Sequence, residues 1–64
     1  MEEKERLKAE IKQLNGKATQ LKMDLHDLAE DLPIGWEKIP DLAQKTFHAY
    51  ELLSQARAEF ASLP

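Results

Sequence analysis

The chain has no cysteine, which rules out disulfides, thiolate metal centres and thiol nucleophiles. The same absence accords with a reducing cytoplasm, the expected location. Nor is there a charge-free apolar run approaching the ~18 residues of a membrane span. The opening Met1-Glu2-Glu3-Lys4-Glu5-Arg6 lacks the apolar segment of a signal peptide. The two-residue alternation that a β-hairpin needs is missing as well. With 64 residues the chain makes one domain at most, near the size where a lone core is marginal.

What is present is a period. Leu7, Ile11, Leu14, Ala18, Leu21, Leu25, Leu28 and Leu32 are separated by gaps alternating between four and three. A 3.5-residue repeat puts all of them on one narrow seam of a helix, where a neighbouring helix can cover them. A second stripe follows a short Pro/Gly interruption: Leu42, Thr46, Ala49, Leu53, Ala56, Phe60 and Leu63. With 33% charged and 42% hydrophobic residues, the composition is that of a folded, soluble chain. The pattern predicts an all-α protein: an antiparallel hairpin of two long helices that dimerises into a four-helix bundle.

The first helix is predicted over about 2–31, roughly 45 Å at about 1.5 Å per residue. Its early glutamates suit the positive end of the macrodipole. Asn15-Gly16 often marks a turn, yet the stripe passes through it in phase. Gly16 is therefore placed on the outer face of one continuous helix, at a cost of about 1 kcal/mol relative to Ala. Pro33 ends the helix by disfavouring helical geometry at Leu32. A connection over 32–39 follows, then a second helix over about 40–62, with Pro40 as a first-turn residue. Asp41 is either a partner of the helix dipole or an N-cap with Gln44 three residues on. Ile34, Trp36 and Ile39 are too apolar for a free linker and are expected to fold over the end of the helix pair. In the second helix, Ala43, Phe47 and Tyr50 form another ridge beside the seam. A helix with one neighbour does not need two ridges, whereas one inside a bundle does. The dimer and core positions are thus Leu14, Leu21, Leu25, Leu28, Leu42, Thr46, Phe47, Tyr50, Leu53 and Phe60.

The net charge of −3 is unevenly spread. Residues 1–22 hold six Lys/Arg against four Glu, whereas residues 23–41 hold six Asp/Glu against Lys38 alone. The end of the molecule where the helices connect should be acidic, repelling phosphate backbones and attracting basic protein surfaces. Asp24, Asp27, Glu30 and Asp31, together with Trp36, are the candidate partner-binding residues. Lys8, Lys12 and Lys22 lie along helix one, but each sits near a carboxylate and the footprint is weak for a nucleic-acid binder.

His26 and His48 are the weak metal-ligand candidates. No Cys supports them and no carboxylate stands at a spacing such as HExxH; the heptad positions point them to opposite sides of the hairpin. Asp24, His26, Asp27 and Glu30 could be imagined as acid–base groups, but a two-helix hairpin has little room for the desolvated cleft that would tune them. No catalytic residue and no cofactor is expected, so the chain is taken not to be an enzyme.

One long segment carries a resemblance. It runs Ala18-Thr19-Gln20-Leu21-Lys22-Met23-Asp24-Leu25-His26-Asp27-Leu28-Ala29-Glu30, then Leu32-Pro33, Trp36, Pro40, Leu42-Ala43-Gln44-Lys45-Thr46-Phe47 and Ala49-Tyr50. It resembles the small Rop-like family of unknown function encoded in nitrogen-fixation gene clusters, commonly beside the nitrogenase-cofactor carrier NifX. The likeness covers about residues 12–60, and the Lys-Met-Asp-Leu-His-Asp-Leu-Ala-Glu run is its distinctive part. It implies a hairpin dimerising into a four-helix bundle and a context of nitrogenase biogenesis or support, with no catalytic residues to carry over. The expected function is that of a non-enzymatic accessory protein of nitrogen fixation, binding nitrogenase or its cofactor-assembly machinery. The alternative is an RNA-binding bundle like the Rop regulator, which the acidic balance disfavours; fold analogy alone does not decide function.

Overall fold

A computed structural model describes residues 2–64. Its first helix, α1, spans Glu2–Asp31 and its second, α2, spans Ile39–Ser62, with a single 3₁₀ turn at Trp36–Lys38 between them. The two helices lie antiparallel: Arg57 of α2 donates to the Asn15 side chain at 3.3 Å, and Lys4 stands 5.5 Å from the centroid of the Phe60 ring. The result is a rod measuring 49 × 14 × 12 Å.

The seam explains the pairing. Leu7, Ala18, Thr46, Ala49, Leu53 and Ala56 are buried, all of them on the two stripes. The centre is Ala18, Ala49 and Leu53, with Ile11, Leu14 and Leu21 packed against them. Small alanines at the centre leave room for the two backbones to come near each other, and the leucines beside them follow the spacing of a knobs-into-holes seam. Thr46 brings a hydroxyl into this apolar line and satisfies it locally, donating to the Leu42 carbonyl at 2.8 Å, as a buried polar group must.

Helix α1 passes through Asn15-Gly16 without a break. A Cβ at Gly16 would meet nothing within 4 Å, so this glycine does face outward. Helix α2 starts at Ile39, one residue before the predicted start, because Lys38 already has helical geometry and the 3₁₀ turn runs straight into the helix. That fixes the geometry at Asp41. Lys38 occupies the N-cap position without a side-chain cap; Asp41 lies in the first turn, where it favours the helix dipole and pairs with Lys45 at 3.2 Å.

The connection departs from expectation. Ile34, Trp36 and Ile39 do not close the end of the helix pair: Ile34 is 78% exposed, Trp36 61%, and Ile39 is exposed too. The reason lies in Gly35. Its backbone is left-handed, at φ 78°, and a Cβ there would come within 3.2 Å of Leu28 Cδ1. Gly35, itself half-buried, stands against Leu28 at this end of the helix pair. Consecutive turns then hold the loop outward, with Ile34 N–H donating to the Asp31 carbonyl at 3.0 Å, Trp36 N–H to Pro33 at 3.3 Å and Lys38 N–H to Gly35 at 2.9 Å.

Candidate interaction surfaces

Once the helices have paired, apolar side chains stay exposed along α2 and at the tip. The first surface is the ridge of α2. Phe47 is 70% exposed, and Tyr50 beside it is also open to solvent; with Ser54 and Ala58 they line one shallow surface. On the other flank, Leu14, Leu21 and Leu52 floor a cleft of about 290 Å³, rimmed by Lys17, Lys45 and His48. Leu52 lies outside both stripes, and its only signal in sequence was its place next to Leu53 on the seam.

The second surface is the tip, built from the last turn of α1, the loop and the first turn of α2. Here Ile34 and Trp36 project among carboxylates. Asp27, Glu30 and Asp31 close α1, Glu37 follows the indole, and Asp41 opens α2. Asp27, Glu30 and Asp31 are exposed. Asp24 is half-buried and accepts from the Gln20 amide at 3.0 Å, which ties it to its own helix. Sequence reasoning missed Ile34 as a surface residue, since its apolar character pointed inward.

The histidines are not brought together. His26 Nε2 stands 3.3 Å from Glu30 and its Nδ1 3.9 Å from Asp27, whereas His48 Nδ1 is 3.5 Å from Glu51. His48 lines the cleft with Leu14 and Lys17, while His26 lies beside Lys22 and Met23. Among the described residues no three His, Cys, Asp or Glu side chains cluster with metal-binding geometry. Leu25, Leu28, Leu42 and Phe60 are half-buried along the seam. No helix among the described residues is long and apolar enough to cross a membrane.

A rod of two antiparallel helices paired along a seam of alanine and leucine is a helical hairpin. The Rop-like family model matches residues 2–64, and the chain belongs to that family. A UPF0437 protein of Azorhizobium caulinodans is 46% identical over 63 residues, covering 98% of this chain and 91% of that protein. A Frankia alni relative, described as a UPF0437 protein in the nifX-nifW intergenic region, is 62% identical over 40 residues. That match covers 62% of this chain and about half, 49%, of the relative. A protein solved by NMR at the Northeast Structural Genomics Consortium superposes with a TM-score of 0.86 at 59% identity, covering 92% of this chain and 83% of that one.

Proposed function

We propose that this chain is a cytoplasmic, non-enzymatic accessory protein of nitrogen fixation, acting as a homodimeric four-helix bundle that binds nitrogenase or its cofactor-assembly machinery. The observation behind the pathway is the nifX-nifW intergenic setting of the Frankia alni relative. Behind the mode of action stands the surface. Among the described residues the seam fully buries five apolar side chains, little to set against the ordering entropy of 64 residues. A second copy laid against the Phe47–Tyr50 ridge would bury that ridge and complete a core.

Two measurements test this. Light scattering after size exclusion should give twice the 7.3 kDa chain mass; a well-folded monomer at micromolar concentration overturns the bundle. Tagged protein purified from its native host should bring down a nitrogenase-related protein when the cells fix nitrogen and not when fixed nitrogen is supplied. Association should weaken as salt rises, and charge reversal at Asp27 and Glu30, both exposed, should impair it without unfolding the rod. Tight binding of structured RNA at physiological salt, with no nitrogenase-related protein recovered, would replace this reading with the RNA-binding one.

A further inference from the structure

We infer that the tip is a docking element in its own right, in which Trp36 and Ile34 enter an apolar socket on another protein and the surrounding carboxylates meet a basic rim around it. The inference rests on the reading of this chain as an interaction module and names the chemistry of its partner. Four observations carry it.

The apolar side chains are exposed on an ordered loop. Three backbone hydrogen bonds of 2.9–3.3 Å and the left-handed Gly35 fix the turns that present them. An anchor held in place loses little conformational freedom on binding, and tryptophan is one of the residues in which binding hot spots are enriched.

The charge around the anchor is predominantly negative. Residues 23–41 carry six carboxylates against one lysine. The last turn of α1 holds no basic residue, although the carbonyl end of a helix favours cations. Glu30 and Asp31 therefore add negative charge where the helix already presents it. A cationic surface is the complement of both.

A second copy does not supply that surface. Side-by-side packing covers the flanks of a rod 49 Å long and leaves its ends open. Parallel hairpins would set two acidic tips together. Antiparallel ones would set each tip beside the other copy's open end, where residues 2–15 hold four cations and four carboxylates and so offer no net positive charge.

The geometry also disfavours an anionic membrane, which the tip would meet with like charge. The partner is a protein with a basic rim and an apolar pocket.

A labelled amphipathic helical peptide of leucine and lysine is the probe, with its leucine–glutamate counterpart and phosphatidylcholine vesicles alongside. The lysine peptide should bind saturably and move Trp36 emission to shorter wavelength. Trp36→Ala and Ile34→Ser should each weaken binding by about tenfold or more while leaving the thermal melt in place. Met23→Gln, on the exposed outer face of α1, should bind as the parent does. Equal binding by Trp36→Ala, equal binding of the glutamate peptide, or a Trp36 shift on the vesicles overturns the inference. Failure of the wider reading looks different. If the tip binds the peptide but no nitrogenase-related protein co-purifies, the docking element stands and the pathway falls. If co-purification survives Trp36→Ala, the pathway stands and the docking element falls.

Discussion

The seam and the tip are both rich in apolar side chains and treat them in opposite ways. Along the seam, residues repeat at the period of a supercoiled helix, so neighbours across the interface can cover them within the helices; Leu53 keeps 2% of its surface exposed and Ala18 none. At the tip, Ile34, Trp36 and Ile39 follow no period, and a glycine occupies the place they were expected to fill. An apolar residue goes inward only where backbone geometry gives it a face to share. In the helices that face is repeated every seven residues; in the seven-residue connection between Asp31 and Ile39 it depends on the local turns.

The seam is the more sensitive of the two regions. Leu53→Asp puts a charge into the centre of the core and should cost about 3–5 kcal/mol, enough to abolish the cooperative melt followed by circular dichroism. Gly35→Ala attacks the boundary between the two regions. It forces a Cβ into a left-handed backbone and against Leu28, and should cost about 1–2 kcal/mol in urea unfolding. Gly16→Ala removes a helix-weakening residue from an open surface and should stabilise by up to about 1 kcal/mol. The smallest effect belongs to the largest side chain. Trp36→Ala should change stability by no more than about 0.5 kcal/mol, and Trp36 emission in the parent should already be red-shifted and freely quenched. A loss of about 2–4 kcal/mol, the cost of removing a buried aromatic, would mean that the tip belongs to the core after all.

The hairpin was legible because its signal is redundant. Fifteen positions on two stripes agree on one period, and the interruption at Asn15-Gly16 could be overruled by the phase of Leu14, Ala18 and Leu21. The connection offered no such redundancy. Hydropathy alone assigned Ile34 and Trp36 to the inside, whereas the turns of the loop, with Gly35 left-handed at φ 78°, present them outward, and no periodic pattern encodes those turns. The acidic character of the tip was readable from composition, because charge along the chain becomes charge at one pole once the hairpin is known. That Asp24 is held by Gln20 while Asp27, Glu30 and Asp31 stand open was not, since that division depends on side-chain conformation.

The antiparallel arrangement has a practical meaning for anyone handling the molecule. A chain that goes out along 30 residues and returns along 24 brings both of its described ends to one pole, with Trp36 at the other. A tether, dye or affinity handle joined to either end therefore sits most of the 49 Å length away from the indole. The rod can be immobilised from behind with its acidic pole pointing into solution, and a fluorescent label at the rear should report rotation of the whole body without touching the loop.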